Sequence, residues 1–335
     1  MKLINKRIFI VGNSRSGTTM MSRILGKHSN IITLNEIHFF GQLWTSKDQN
    51  KILNFSDSVY LFSKLLCIQK FGIFQQKNQS QFDDISIEWL GNKKLNSLEL
   101  FDLFLNYMCE NNKRIHICNQ TPRDVFYLSE ILSNFQNVKI INMIRDPRDI
   151  LLSQKNKWKR RYLGANLIPF SESVRSFFNY HPITISKIWN SSINATKKVK
   201  DQIINVKYEE LANFPEEKIK EVCNFLEIEF DLKMLDVPKI GSSTNHDLDN
   251  KNGIVSNNIG KWKSGGLLNA EIYLCQKICR INMLKNGYKI KNISFFNFNI
   301  IIFFITFPFK MFISFFLNIR RVKNLRELII KRILN

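Results

Sequence analysis

The fold is decided by the stretch Arg7-Ile8-Phe9-Ile10-Val11-Gly12-Asn13-Ser14-Arg15-Ser16-Gly17-Thr18-Thr19. The apolar run Ile8–Val11 predicts a buried strand, and a helical pattern covers Thr18–Gly26. A glycine-rich turn between a strand and a helix can bind an anion, because main-chain N–H groups and the helix N-terminus face it. The glycine spacing equals that of the P-loop, but Thr18 stands where the P-loop has lysine, and Arg15 lies inside the loop. These differences disfavour a nucleoside triphosphate site, and an ordinary strand-to-helix turn is the alternative.

Strand and helix patterns alternate over the first two thirds of the chain. The further strand runs are Ile31–Leu34, Ile115–Cys118, Val138–Ile144 and Ile203–Val206, and the further helical patterns are Ser56–Lys70, Ser97–Glu110, Asp149–Lys159 and Pro215–Leu226. This alternation predicts an α/β domain at residues 1–290, with a P-loop-like three-layer α/β/α architecture and a central parallel sheet. Residues 41–113 contain helical patterns without a strand, and we interpret them as a helical insertion or cap over the sheet.

The chain is strongly basic. Its 335 residues include 49 Lys and Arg against 28 Asp and Glu, a formal net charge of +21. Such a charge favours an anionic partner, which can be nucleic acid, a phosphate-bearing ligand or a membrane surface. The basic residues lack regular aromatic interleaving, so we predict no nucleic-acid partner. Compositional drift toward Lys, Asn, Ile and Phe would account for part of the charge.

Cysteine and N-terminal patterns bear on the compartment. The six cysteines include no C-x-x-C pair and form no dense framework, which disfavours zinc ribbons and disulfide scaffolds and fits a reducing compartment. The apolar run after Arg7 is too short for a secretory signal. The histidines show no metal-ligand spacing, and we predict no metal. These patterns predict a cytoplasmic location.

A second anion-binding signal follows the strand run that ends at Ile144. Arg145 falls at the carboxyl end of this strand, the edge where open α/β sheets bind ligands. A helix then begins, and Ser153 and Lys157 share one of its faces. An arginine can hold a phosphate through two parallel hydrogen bonds. The alternative is a turn whose arginines pair with Asp146 and Asp149.

At these two loops the sequence resembles the sulfotransferase family that uses 3′-phosphoadenylyl sulfate (PAPS). Arg15-Ser16-Gly17-Thr18-Thr19 is similar to its 5′-phosphosulfate loop, and Arg145 with Ser153 is similar to its 3′-phosphate motif. Further matches extend the resemblance over residues 7–268: a Y-E-x-L turn at residues 208–211, and a G-[RK]-W loop at residues 260–262. The cofactor-binding residues expected from the two anion sites and this resemblance are Arg15, Ser16, Gly17, Thr18, Thr19, Arg145, Ser153, Lys157, Tyr208 and Lys261.

The resemblance also implies catalytic residues. Glu36-Ile37-His38-Phe39-Phe40 is similar to the E-x-H-F-F stretch of the glycan-modifying branch, in which the glutamate is the catalytic base, and the spacing from Arg15 to Glu36 is similar to that of the tyrosylprotein branch. We expect Arg15 to stabilise the transferred group and Glu36 to accept the hydroxyl proton, with a pKa raised by burial. His38 is the rival base. Gln120 stands where many members have lysine, a charge that Arg123 could replace.

The segment Ile293–Asn318 differs from the rest of the chain. It holds one charged residue, Lys310, and ten of the 28 phenylalanines. It is long enough to span a bilayer, but basic residues flank it on both sides, and both flanks favour the cytoplasmic face. Pro308 predicts two short helices broken at the proline, forming a re-entrant hairpin or an interfacial pair within a unit at residues 291–335. We expect residues 293–335 to bind an anionic membrane surface. Packing on the domain or in a dimer is the alternative.

The sequence therefore predicts a PAPS-dependent sulfotransferase that acts on a hydroxyl group of a glycan, glycolipid or other lipid-linked acceptor, peripherally associated with the membrane. Residues 41–113 are expected to shape the acceptor side. The alternatives are a P-loop kinase or ATPase, which the glycine spacing favours, and a non-catalytic basic membrane-binding protein on a decayed sulfotransferase fold.

Overall fold

The structure is a computed structural model. It describes residues 4–74, 78–163, 168–197, 199, 201–238, 253, 254, 256–293 and 298–334.

A parallel sheet forms the centre of the domain. In the described residues its strands are β1 (Lys6–Gly12), β2 (Ile31–Thr33), β3 (His116–Gln120), β4 (Val138–Ile144) and β5 (Ile203–Lys207). Their order is β2-β3-β1-β4-β5, and every pairing is parallel. The predicted strand runs and the α/β class are confirmed. The order of the strands reverses beside β1, so a crevice opens at the carboxyl ends of β1 and β4.

The helices follow the predicted patterns closely. They are α1 (Thr18–Leu25), α2 (Phe55–Phe71), α3 (Asp83–Leu90), α4 (Ser97–Asn111), α5 (Leu128–Asn134), α6 (Pro147–Lys155), α7 (Phe170–Asn179), α8 (Pro182–Thr196), α9 (Tyr208–Asn213), α10 (Pro215–Leu226), α11 (Asn269–Lys285), α12 (Phe298–Asn318) and α13 (Leu325–Ile329). The pattern predicted at Asp149–Lys159 is shifted. Helix α6 begins at Pro147 because proline fits the first helical position and the Asp146 side chain accepts from Arg148 N. A 3-10 turn at Lys157–Leu163 follows it.

Alternating side chains of β1 sort into two cores. Phe9 and Val11 pack with residues of α2, α4 and α5 on one face of the sheet. Ile8 and Ile10 pack with α1 and α10 on the other face. This period-two alternation is the signature of a strand covered on both sides. The helices of residues 41–113 thus supply much of one covering layer.

Helix α12 is continuous through Pro308. The prediction of two short helices broken at this proline, as a hairpin or a pair, is therefore wrong. Proline withdraws one N–H from the helix and costs about 3 kcal/mol, but contacts hold the helix on both sides of it. His181 Nε2 lies 3.1 Å from the Phe303 carbonyl oxygen, and Lys310 Nζ donates to the Tyr180 carbonyl oxygen at 3.1 Å. Both halves are thereby fixed to the domain.

The outer face of α12 is apolar and exposed. Its inner face packs Ile300, Phe303 and Phe307 against Ala270 and Leu274 of α11. The exposed large apolar side chains are Phe298, Ile301, Ile302, Phe304, Ile305, Phe309, Phe312, Ile313, Phe315, Phe316 and Leu317. The helix has the length and apolar character needed to cross a membrane, and 6% of its most apolar window is buried.

Candidate active site

Two glycines let the loop after β1 approach its neighbours closely. A Cβ on Gly12 would lie 2.4 Å from the Met143 carbonyl oxygen of β4. Gly17 has φ +95°, and a Cβ there would lie 2.6 Å from Cδ2 of Tyr208. Gly17 caps α1 without a side-chain hydrogen bond, so no side-chain cap blocks the first N–H groups of the helix. The Ser16 hydroxyl is buried and has no partner among the described residues. The loop therefore offers hydrogen-bond donors, the first N–H groups of α1 and the Ser16 hydroxyl, to a ligand that accepts hydrogen bonds.

The Gly17→Ala variant should be destabilised by the contact with Tyr208. Gly260 is a matched control, since its backbone is also left-handed (φ +67°, ψ +15°, against φ +95°, ψ +12° at Gly17) and a Cβ there would make only ordinary contacts, at 3.7 Å or more. Both variants strain the backbone, but only Gly17→Ala also overpacks, which typically costs 1–3 kcal/mol. We expect chemical denaturation to show a loss of unfolding free energy about 1–3 kcal/mol greater for Gly17→Ala. Equal losses would contradict this role of Gly17.

Arg145 joins two loops at the carboxyl edge of the sheet. Its Nη1 donates to the Arg15 carbonyl oxygen at 3.0 Å, and its Nη2 donates to the Asn258 carbonyl oxygen at 2.6 Å. The guanidinium lies over the Tyr208 ring, 4.5 Å from the centroid. Its Nε is buried without a partner among the described residues. Trp189 Nε1 donates to the Arg145 carbonyl oxygen. The side chain is therefore fixed, with N–H groups left for an anion.

The carboxylates of Asp146 and Asp149, which follow β4, bind groups other than Arg145. Asp146 forms a 2.7 Å ion pair with Arg148, whose guanidinium lies 3.9 Å from the Trp262 ring centroid. Asp149 accepts from the main-chain N–H groups of Gly260 at 2.8 Å and Trp262 at 3.0 Å. Arg148 therefore pairs with Asp146, as the alternative interpretation of this turn expected. Arg145 forms no such pair with Asp146 or Asp149 and lines the cleft.

A cleft of about 290 Å³ runs along this edge of the sheet, and we call it the phosphate cleft. The predicted site residues that line it are Arg15, Gly17, Thr18, Thr19, Glu36, Arg145, Ser153, Lys157, Tyr208 and Lys261. Arg15 has φ +78°, and its Nε donates to Ser153 Oγ at 2.8 Å. Burial and neighbouring cations lower the pKa of Arg15 to about 10 and that of Lys157 to about 7. The cleft is therefore a buried cationic environment.

Glu36 lines the cleft as part of a hydrogen-bonded group, and its side chain is 42% exposed. Gln120 Nε2 donates to Glu36 Oε1 at 3.1 Å, and His38 Nε2 lies 3.2 Å from Glu36 Oε2. Burial would raise the pKa of Glu36, but the hydrogen bonds from His38 and Gln120 and the charge of Lys157 lower it to about 2. The expectation of a raised pKa is therefore wrong. Burial also lowers the pKa of His38, so neutral imidazole faces a carboxylate at neutral pH.

Gln120 has a positioning role that the sequence did not reveal. Its amide donates both to Glu36 and to Thr18 Oγ1, at 3.2 Å, and thus connects the carboxylate to the phosphate loop. The positive charge expected of a lysine comes from other residues, because Arg15, Arg123 and Arg160 act electrostatically on Glu36. Arg160 was not predicted as a site residue. Its signal was the basic run that follows Lys157.

A second pocket, of about 170 Å³, meets the first at Glu36. His38 lines this pocket and not the phosphate cleft. The cationic side chains around it are Arg123, Lys157, Arg160, Arg175, Arg321 and Arg332, and Glu36 and Glu172 are its carboxylates. We call it the cationic pocket. The two cavities therefore share a carboxylate, one that is ionised at neutral pH.

Comparison with known proteins agrees with this geometry. Residues 7–232 match the profile of the Sulfotransferase family. An uncharacterized protein of Aquifex aeolicus is 25% identical over 286 residues, and the matched region covers 84% of this chain and 32% of that protein's length. A Caenorhabditis briggsae protein described as a candidate protein-tyrosine sulfotransferase is 25% identical over 234 residues, 68% of each protein.

A solved structure shares the fold. The sulfotransferase domain of the Synechococcus PCC 7002 olefin synthase superposes with a TM-score of 0.53 at 16% identity, covering 87% of this chain and 98% of that domain. The family profile spans more than half of the chain and includes the phosphate loop, Glu36 and Arg145. The chain therefore belongs to the sulfotransferase family.

Proposed function

We propose that this chain transfers a sulfuryl group from PAPS to a hydroxyl group of a glycan, a glycolipid or another lipid-linked acceptor. The observation that carries the proposal is the position of Glu36, which lines both the phosphate cleft and the cationic pocket. A carboxylate at the junction of two cavities can receive a proton from a group in one while the other holds the donor. Membership of the sulfotransferase family supports sulfuryl chemistry.

The residues of the phosphate cleft fit a ligand with two anionic ends. The loop from Arg15 to Thr19 would hold the 5′-phosphosulfate, because within the described part of the chain the buried Ser16 hydroxyl has no partner and no side chain caps the N-terminus of α1. Arg145, Ser153 and Lys261, which also line the cleft, would hold the 3′-phosphate. The buried, unpaired Nε of Arg145 supports this assignment, since such a donor is costly without an acceptor.

The protein groups would act by positioning and electrostatics. When bound, PAPS supplies the sulfuryl group: its S–O bond to the 5′-phosphate breaks as the acceptor oxygen bonds to sulfur, leaving 3′-phosphoadenosine 5′-phosphate (PAP). Glu36 takes the hydroxyl proton, and Gln120 and His38 fix the orientation of its carboxylate. Arg15 and Lys157 stabilise the charge that develops on the transferred oxygens.

We propose that the enzyme works in the cytoplasm, at a membrane surface. The exposed apolar face of α12 supports this location, because eleven large apolar side chains in water would be strongly unfavourable. Basic residues precede and follow the helix, which suits anionic headgroups. Helix α12 forms hydrogen bonds with Asn179, Tyr180 and His181 of the domain. It would therefore present its opposite face to lipid.

Ligand binding and sulfate transfer test this function. PAP at about 100 times its Kd should raise the free energy of unfolding by roughly 2.7 kcal/mol, and ATP should do less. Transfer of ³⁵S from labelled PAPS to a membrane extract should then appear. Stronger stabilisation by ATP would favour a P-loop kinase or ATPase. No response to either nucleotide would favour a non-catalytic membrane-binding protein.

A further inference from the structure

The C-terminal segment places two arginines in the cationic pocket. After α12, residues 319–334 return across the domain, where Lys323 N donates to the Gly41 carbonyl oxygen and the Glu327 carboxylate accepts from Ser46 N. This course brings Arg321 and Arg332 to the wall of the cationic pocket. The pocket that Glu36 faces is thus completed by chain beyond the apolar helix.

Arg332 is a buried charge that forms no ion pair with any residue that the structure describes. It is 8% exposed, and its Nε has no hydrogen-bond partner in the described part of the chain. Its guanidinium lies 5.7 Å from the Phe126 ring centroid. Burial and the charge of Arg123 lower its pKa to about 9, and burial raises the pKa of the nearby Asp124, which limits neutralisation by that carboxyl group. A buried guanidinium left unpaired is strongly destabilising, so this arrangement calls for an anion.

Other residues of the cationic pocket also leave its positive charge in excess. Glu172 is paired with Arg175 at 2.6 Å and also with Arg321, so its negative charge is already balanced by these two arginines. Arg123 forms no ion pair with any residue that the structure describes, and the Ser173 hydroxyl is buried without a partner there. Arg123, Ser173 and Arg332 all line the cavity that Glu36 faces.

The cationic pocket continues into an apolar chamber. This chamber, of about 190 Å³, shares with the pocket the cationic side chains of Arg123, Lys157, Arg175 and Arg332, together with Asn318. The rest of its wall presents mainly apolar surface, which includes Ile185 and Ile188 of α8, Met311 of α12 and Ile329 of α13. The other face of α12 is the exposed apolar surface. An amphiphile with its headgroup in the cationic pocket could therefore place its chain in the chamber.

We infer that the acceptor is an anionic lipid, whose phosphate or carboxylate group binds Arg332 and Arg123 and whose hydroxyl group faces Glu36. The inference rests on the proposed function and adds the class of acceptor to it. The C-terminal segment is then a specificity element, because it supplies Arg332 to the headgroup and follows directly from the helix that lines the chamber.

Three small probes test this inference on the full-length, PAP-loaded protein. Dihexanoyl phosphatidylglycerol carries phosphate, hydroxyl groups and chains, dihexanoylglycerol lacks the phosphate, and glycerol 3-phosphate lacks the chains. We expect the first to bind at least about tenfold more tightly than either of the others. Arg332→Gln should remove roughly 10–100-fold of that affinity, the range of a charge-assisted hydrogen bond. Arg332→Lys should keep most of it.

Lys323→Gln is the matched control, since Lys323 lies in the same segment but pairs with Asp48 outside the pocket. It should bind like the wild type. A PAP Kd and a melting temperature unchanged in Arg332→Gln would show that the variant folds. Equal binding of the charged and neutral lipids, or an Arg332→Gln variant that keeps the preference, would overturn the inference. Arg332-dependent binding of an acidic tyrosine peptide in place of lipid would also overturn it, whereas failure to bind PAP would reject the proposed function itself.

Discussion

Glu36→Gln is expected to lower kcat about 10²–10⁴-fold and to leave the Kd for PAP within about twofold of the wild-type value, because general-base catalysis contributes factors of that size. The amide keeps the shape of the side chain but cannot accept the hydroxyl proton. Steady-state ³⁵S transfer and isothermal titration with PAP measure the two quantities. Glu217→Gln, on the exposed face of α10, is the control and should leave both kcat and the Kd for PAP unchanged.

The pH profile gives a second readout of the same residue. The pKa of Glu36 is lowered to about 2, so its carboxylate is ionised throughout the range from pH 5 to 8. Loss of kcat through protonation of Glu36 should therefore appear only near pH 2, and no limb near pH 4.5 is expected. A kcat for Glu36→Gln close to that of the wild type, together with a large loss in His38→Gln, would make His38 the base.

The fold was predictable because its signals are local. The glycine loop between β1 and α1, the four further strand runs and the position of Arg145 follow from patterns a few residues long. A parallel sheet then requires that the carboxyl ends of β1 and β4 share one edge. Sequence alone assigned Arg15 and Arg145 to the two anionic ends of one ligand, and in the structure both residues line one cleft.

The chemistry of Glu36 depends on long-range contacts and could not be predicted. Its pKa is lowered first by His38, whose backbone has φ +53°, and then by Gln120, which is 84 residues away in sequence. Burial alone would have raised this pKa, as expected from the sequence. The sign changed because hydrogen bonds to the ionised form outweighed desolvation.

The tail was mispredicted for a similar reason. Pro308 is a local signal for a break, but the bonds that keep α12 continuous come from residues of α7 and α8 and the turn between them. Arg332 carried no motif, and it reaches the cationic pocket only because residues 319–334 fold back over the domain. Both features are set by tertiary packing.

Arg145→Gln is expected to weaken PAP binding about 100-fold. The guanidinium ties the phosphate loop to the loop at Asn258 through two main-chain oxygens, and it would hold the 3′-phosphate with its remaining N–H groups. Losing a charge-assisted pair costs about 1.5–3 kcal/mol, and loosening of the two loops adds to this loss. Arg145→Lys keeps the positive charge but loses the paired N–H donors of the guanidinium. Its Kd for PAP should lie between those of the wild type and Arg145→Gln.

Isothermal titration with PAP and with adenosine 5′-phosphate, which lacks the 3′-phosphate, separates the two roles of Arg145. If the guanidinium contacts the 3′-phosphate, Arg145→Gln should weaken PAP much more than adenosine 5′-phosphate, and the wild-type preference for PAP should largely disappear. If Arg145 only ties the loops, both ligands should weaken equally, which would contradict the assignment. Lys263→Gln, an exposed cation in the neighbouring turn that does not line the cleft, should leave both affinities unchanged.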